Sequence, residues 1–191
     1  MSKRIRKIMQ ASLEAKQALL DDEQIAQTLC DIIDRAVDCF GKQGKMLLAG
    51  NGGSAADAQH IAAELSGRFY RDRAPLFAEA LHVNSSYLTA VANDYGYEEV
   101  YARMVRAAGR PGDIFVGLST SGNSPNVLRA AEAAREAGMT VVGMTGADGG
   151  QLAGHCDFLL NVPATDTPRI QECHILLGHI LCEIIELKTF G

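Results

Sequence analysis

The chain is poor in several things, and each shortage removes a class of function. Of its 191 residues five are cysteine, and Cys30, Cys39, Cys156, Cys173 and Cys182 form no CxxC pair and leave an odd one over, so a disulfide framework is not expected. Most of them fall in apolar helical patterns and read as buried, reduced thiols. Positive charge is short as well: 18 Lys and Arg against 23 Asp and Glu leave a net charge of -5, which is no footprint for nucleic acid. An anionic ligand must then be held by local donors such as helix N-termini, not by an overall field. No apolar run approaches the ~20 residues needed to cross a bilayer, and the polar start MSKRIRK has no apolar segment behind it, so a cytoplasmic protein with no membrane partner is expected. There is no GxGxxG and no Gly-Lys-Ser/Thr loop, which argues against a nucleotide cofactor, and no HExxH, which argues against a zinc hydrolase. Internal repeats, low-complexity segments and flexible linkers are also missing.

What is there is the composition of an ordinary globular protein, 47% hydrophobic and 21% charged, with enough residues to bury one substantial core. We read residues 1–191 as one domain, a helical extension over 1–41 followed by an α/β core over 42–191. Ile5, Ile8, Leu13, Ala15 and Leu19 recur at helical spacing, then Ile25, Leu29, Ile32, Ile33 and Val37 do so again, with Asp21-Asp22-Glu23 opening the second helix where negative charge suits the dipole. Short apolar runs at Met46–Ala49, Leu76–Leu81, Asp113–Leu118, Thr140–Thr145 and Asp157–Val162 read as strands. Helices are predicted from Asn84 through Ala92, over Glu98–Ala108, from Pro125 to about Gly138, and from Thr167-Pro168 to about Lys188, with Asn93-Asp94-Tyr95-Gly96 as a turn. The strands lack polar/apolar alternation and each crossover is long enough for a parallel connection. A buried parallel sheet in a three-layer sandwich follows.

The stretch GNGGSAADAQHIAAE, residues 50–64, organises the rest, because it leads from a strand end through a glycine turn into a helix with ionisable side chains. Ser54 followed by Asp57 fits a capped helix start. A second loop, Ser119-Thr120-Ser121-Gly122-Asn123-Ser124-Pro125, also follows a strand and leads into a helix. Both loops sit where open parallel sheets bind ligands, outside the carboxyl ends of strands. Ser119, Thr120, Ser121 and Ser124 put four hydroxyls beside a helix N-terminus, an arrangement suited to a phosphate without lysine or arginine, although one such residue alone is usually only a cap.

His60 and Glu64, four residues apart, share one helix face. Glu64 lies among Ile61, Ala62, Ala63 and Leu65, where partial burial would raise its pKa toward a general base's working range; a solvated His/Glu pair is the bland alternative. The last helix adds Arg169, Gln171, Glu172, His174 and His179 among aliphatic residues, and a lone histidine there is more often a core residue than a functional one.

Taken together, GNGGSA, DAQHIAAEL, STSGNS, TGADGG and RIQECHILLGHILCE resemble the phosphoheptose isomerases of the sugar isomerase (SIS) family over nearly the whole chain. The resemblance implies a flavodoxin-like sheet, conversion of D-sedoheptulose 7-phosphate into D-glycero-D-manno-heptose 7-phosphate for lipopolysaccharide core or other surface glycans, and a cytoplasmic homotetramer. It further implies that Asn51, Gly52, Gly53 and Ser54 line the sugar site with Asn93 and Asp94, that Ser119, Thr120, Ser121 and Ser124 hold the phosphate, and that Glu64 and His179 are the acid/base pair. Gln171 would touch substrate as well, and His60, Glu64, Gln171 and His179 would bind one zinc per subunit, an unusual set in that an amide oxygen is an uncommon zinc ligand. Some members carry an acidic residue directly before Arg-Ile-Gln-Glu, where this chain has Pro168, with Asp166 nearby. Because Gln171 and His179 lie roughly 12 Å apart along one helix, we expect at least one of them to come from a neighbouring subunit. Two alternatives stay open, an isomerase of another phosphosugar and a non-enzymatic SIS adaptor of the kind that binds a bacterial replication initiator, although that adaptor lacks the glutamate and the last-helix histidine kept here.

Overall fold

In the computed structural model, which describes all residues from Met1 to Gly191, helices α1 (Ser2–Leu20) and α2 (Glu23–Gly41) precede a five-stranded sheet. The strands are β1 (Met46–Gly50), β2 (Ala78–Ala80), β3 (Ile114–Leu118), β4 (Thr140–Thr145) and β5 (Phe158–Asn161). Between and after them run α3 (Gly53–Ser66), α4 (Ser85–Tyr95), α5 (Val100–Ala108), α6 (Pro125–Glu136) and α7 (Thr167–Phe190). Every strand pair is parallel, in the order β2-β1-β3-β4-β5. The chain therefore steps from β1 out to β2, then crosses back past β1 to β3 and continues to β4 and β5, so the carboxyl ends of β1 and β3 flank the crevice where the direction reverses.

Alternate residues of each strand feed the two faces. Met46, Leu48, Ile114, Val116, Leu118, Val142 and Met144 pack with α2, α3 and α7, while Leu47, Ala49, Phe115 and Val141 pack with α4, α5 and α6. Strands apolar on both faces have no solvent side, which is why their sequences run continuously apolar.

Local chemistry sets most boundaries. Asp22 accepts the Ile25 amide at 3.0 Å and starts α2, Asn84 does the same for Tyr87 at 3.0 Å and starts α4, and Pro125 opens α6. Several expectations are corrected. The cap position of α3 is Gly52 with φ 56°, not Ser54, which is buried in the first turn with no capping bond. Backbone curvature at that loop needs a left-handed residue, and Gly52 supplies it before a hydroxyl is required. The helix α4 continues through Asn93 and Asp94 to Tyr95 and stops only at Gly96, with φ 90°. Strand β2 keeps only the three residues that pair with β1. On α1 the helical periodicity is real, but Ile5, Ile8 and Leu13 are exposed and only Ala15 and Leu19 are buried. All five cysteines are free; Cys39, Cys173 and Cys182 are buried, whereas Cys30 is exposed.

Candidate active site

The two loops expected to bind ligand are tied together by a pair of amides. Asn51 donates to Asn126 Oδ1 at 2.9 Å and Asn126 donates back to Asn51 Oδ1 at 2.9 Å, joining the loop after β1 to the helix after β3. Tyr101 donates to the Gly50 carbonyl at 2.6 Å and Tyr97 to Asn51 Oδ1 at 3.2 Å, and burial pushes the Tyr101 phenol pKa up. Asn126 is buried, so its amide could not stand there unpaired without a cost. Sequence reading passed over Asn126, which follows Ser124-Pro125 and looks like any first-turn residue.

The hydroxyl loop is held from behind. Ser119 and Ser124 hydroxyls lie 2.9 Å apart, and Ser124 occupies the cap position of α6. Gly122, at φ 63°, lies so close to Gly149 that a Cβ would collide with its carbonyl. The Gly146 amide donates to Thr120 O at 3.0 Å, and the Gln151 amide to Asn123 Oδ1 at 3.0 Å. The TGADGG segment thus clamps STSGNS in shape, leaving Thr120 and Ser121 lining an open hollow of about 240 Å³ with Asn123, Asp148 and Thr165. No lysine or arginine enters that lining and Asp148 adds a carboxylate to it, so an anion there would be met by the Thr120, Ser121 and Thr165 hydroxyls and by backbone amides; Ser119 and Ser124 stand outside the lining. Asp166 stands at the cap position of α7 with Pro168 in its first turn; its carbonyl accepts the Ile170 amide at 3.0 Å, but its carboxylate makes no capping bond.

The ionisable residues gather elsewhere along α3. Helices α3 and α7 run side by side in the same direction: Gln171 packs on Gly53, Gly178 on Ile61, and the Phe69 amide just after α3 reaches Glu186. A Cβ at Gly178 would come within 2.5 Å of Ile61 Cδ1, so the missing side chain lets α7 approach and sets His179 beside His60. The two Nε2 atoms are 3.1 Å apart, and Glu64 Oε1 is 3.2 Å from His60 Nε2. One donor atom from each of His60, Glu64 and His179 falls within 4.8 Å of the others. The Phe69 ring packs 5.9 Å from that of His179.

Asp57, one turn before His60, belongs to this neighbourhood although it read as part of the helix start. Its Oδ2 is buried without a hydrogen-bond partner. Burial raises its pKa, and the nearby His60 and His179 work in the opposite direction.

Three of the four anticipated metal ligands are therefore brought together within one chain, and the fourth is not. Gln171 lies against Gly53, whose Cβ would meet its amide at 2.7 Å. That contact is seven residues, or about 10 Å of helix, before His60. Gln171 and the His60–Glu64–His179 group thus stand at different heights along the paired helices. Asn93 and Asp94 bond each other at 2.9 Å on the exposed last turn of α4, and neither hydrogen-bonds to the loops or the histidine cluster. His174 proves a core residue, fully buried with Nε2 3.1 Å from the Thr145 carbonyl.

An all-parallel sheet in the order β2-β1-β3-β4-β5, with two loops opening beside its switch point, defines a doubly wound flavodoxin-like α/β protein. A family model described as the SIS domain matches residues 11–146, and the chain belongs to that family. Proteins called phosphoheptose isomerase match it over nearly full length: that of Aneurinibacillus thermoaerophilus is 48% identical over 97% of this chain and 94% of its own, and that of Burkholderia pseudomallei 52% identical over 91% and 88%. The solved phosphoheptose isomerase of Neisseria gonorrhoeae superposes with a TM-score of 0.91 at 44% identity, covering 97% of this chain and 98% of that one. Within the SIS family, the branch to which this chain belongs is that of the phosphoheptose isomerases, which are isomerase enzymes.

Proposed function

We propose that the protein isomerises D-sedoheptulose 7-phosphate to D-glycero-D-manno-heptose 7-phosphate in the cytoplasm, at the start of heptose supply for lipopolysaccharide core or other surface glycans. The observation that carries the reading is the grouping of His60, Glu64 and His179 on the same pair of helices whose N-terminal ends meet the glycine loop.

Converting this ketose to an aldose moves a proton from C1 to C2 and another from the C1 oxygen to the C2 oxygen; no electron acceptor is needed. Ser119, Thr120, Ser121 and Ser124 hold the phosphate, and Asn51, Gly52, Gly53, Ser54, Asn93, Asp94 and Gln171 hold the sugar. Glu64 takes the C1 proton, leaving a cis-enediol, and returns it at C2, while His179 passes protons at the oxygens. Three ligands of nitrogen and carboxylate type, close enough to share one ion, suit zinc with a position left open. When bound there by His60, Glu64 and His179, zinc supplies Lewis-acid polarisation of a carbonyl oxygen. The amide of Gln171 is too far along α7 to join them from the same chain, so we infer that a neighbouring copy in a homotetramer brings its own Gln171. The exposed Ile5, Ile8, Met9 and Leu13 of α1 offer apolar surface for such an assembly.

The test is turnover of sedoheptulose 7-phosphate by purified protein, with chelator and with added zinc, beside Glu64→Gln. Product formation that vanishes in the variant supports the reading. A folded protein inactive on this sugar under every metal condition, but active on a pentose or hexose phosphate, replaces the substrate.

A further inference from the structure

Behind the histidine cluster lies a buried ion pair that no step of the proposed reaction uses. Glu186, two turns beyond His179 on α7, is 2% exposed and its carboxylate accepts four hydrogen bonds. The Phe69 amide donates to Oε2 at 3.0 Å, the Tyr70 and Arg71 amides to Oε1 at 2.9 Å each, and Arg73 Nε to Oε2 at 3.0 Å. Three consecutive backbone N–H groups turned toward one carboxylate form an anion nest.

Arg73 spends the rest of its guanidinium on the open end of α3. Its Nη2 donates to the Glu64 carbonyl at 2.9 Å, and its Nη1 to the Leu65 carbonyl at 2.7 Å and the Gly67 carbonyl at 3.1 Å. The last carbonyls of a helix have no partner within it, and a cation among them answers both the missing bonds and the dipole. The one guanidinium therefore grips the backbone of Glu64 itself and, through Glu186, the helix that carries His179. The loop it secures also presents Phe69 to the His179 ring, at 5.9 Å.

We infer that Glu186 and Arg73 are positioning residues for the reacting centre, a clamp that ties the Glu64 end of α3 to α7 two turns beyond His179 and seats Phe69 against His179. The inference rests on the reading of His60, Glu64 and His179 as that centre. Neither Glu186 nor Arg73 touches substrate; they act through the backbone of α3 and through the loop. Glu186 accepts four bonds and Arg73 donates five, one of them shared between the two, which is far more than a surface pair needs to hold a loop. They tie the carboxyl end of α3 and the loop after it to α7.

The experiment compares wild type with Glu186→Gln, which keeps the shape of the side chain and removes its charge, and with Arg73→Lys, which keeps the charge and loses the fork. Three quantities are read: kcat and KM on sedoheptulose 7-phosphate, zinc affinity by competition with a chromophoric chelator, and the imidazole signals of His60 and His179 in NMR spectra. The expected result in both variants is a kcat about tenfold or more below wild type with KM within about twofold, zinc affinity weakened about tenfold, and displaced His179 signals. Val105→Ala, a truncation on α5 in the core on the opposite face of the sheet, serves as a control that lowers the melting temperature without moving those signals. Variants that fold with wild-type kcat, zinc affinity and histidine signals overturn the clamp, whatever their melting temperature. Should the wild type itself fail to turn over the sugar, the substrate reading fails, and the histidine signals and zinc affinity still decide the clamp. If Glu186→Gln does not fold, Arg73→Lys carries the same three readouts.

Discussion

His179 Nε2 stands 3.1 Å from His60 Nε2, two ring nitrogens from different helices facing each other. Both cannot carry a proton into that gap, so either one lone pair accepts one N–H or both lone pairs face a shared cation. Glu64 Oε1, 3.2 Å from the same His60 nitrogen, puts a negative charge beside them and favours a cation. We therefore expect zinc to bind with release of protons and more weakly as pH falls, because metal ligands must be deprotonated. His60→Gln should cost at least about a hundredfold in affinity, a loss larger than that of a residue acting from behind a ligand. Isothermal titration in two buffers of different ionisation enthalpy measures both the affinity and the proton count.

The acid/base assignment makes a sharper demand on kinetics than on stability. Glu64→Gln and His179→Gln should each lower kcat by about 10²–10⁴-fold, the range of a positioned proton-transfer group, while thermal unfolding stays close to wild type. Glu64 and His179 are only half-buried, so neither removal leaves a large cavity. A variant that unfolds instead of losing turnover would place its residue among structural ones.

Gly178 tests how closely the helices must pack. A Cβ there would come within 2.5 Å of Ile61 Cδ1, and Ile61 is itself buried with little room to swing away. Gly178→Val should therefore destabilise by about 1–3 kcal/mol through overpacking and, by pushing His179 from His60, weaken zinc binding as well. Gly41→Ala, where nothing lies within 4 Å of the added atom, is the neutral comparison. Denaturant unfolding and zinc competition on the two variants separate the effects.

The amide pair of Asn51 and Asn126 predicts coupling between the loops. Asn126→Leu removes both bonds and leaves Asn51 to its tyrosine partners, which should cost about 1–3 kcal/mol and raise KM, because the glycine loop loses its anchor to α6. A double-mutant cycle with Asn51→Ala should show strong non-additivity. Independent losses that simply add would mean the two loops are held separately.

Much of this architecture is legible in the sequence because its determinants are local. Strand β4 keeps the bounds read for it, Thr140–Thr145, since a run of apolar residues between glycine-rich segments has few other options. Pro125 and Asn84 announce helices in the same way. What escapes reading depends on residues far apart in the chain. Arg73 and Glu186 are 113 positions apart and each looks like an ordinary surface charge until the fold brings them together. Asn126 waits on Asn51, 75 positions away. The end of α4 departs from expectation for the opposite reason: Asn93-Asp94-Tyr95-Gly96 has turn-forming residues, but only Gly96, at φ 90°, leaves the helical conformation. Of the site, the separation of Gln171 and His179 along α7 follows from helix spacing alone, whereas the meeting of His179 with His60 and Glu64 depends on how α3 and α7 pack.

His174 provides a prediction with a definite sign. Its ring is fully buried, its Nε2–H donates to the Thr145 carbonyl at 3.1 Å, and its Nδ1 has no partner. Burial lowers its pKa to about 4 from an ordinary 6.5, with the bond to Thr145 opposing part of the fall. As pH drops below 6.5 the unfolded chain takes up a proton that the folded chain refuses, so stability falls with pH from about 6.5 down to about 4 and this contribution stops changing once both states are protonated. A difference of that size corresponds to about 3 kcal/mol in full, and about 2 kcal/mol of it should already be lost at pH 5. His174→Gln keeps a donor within reach of Thr145 but cannot titrate, so the variant should be less stable than wild type at pH 7.5 by about 1–2 kcal/mol and close the gap, or overtake it, at pH 5. Urea unfolding at the two pH values decides the matter, because every other titrating group is common to both proteins and cancels. Parallel stability curves, with the same difference at both pH values, would mean that the ring takes up its proton in the folded state as readily as in the unfolded one.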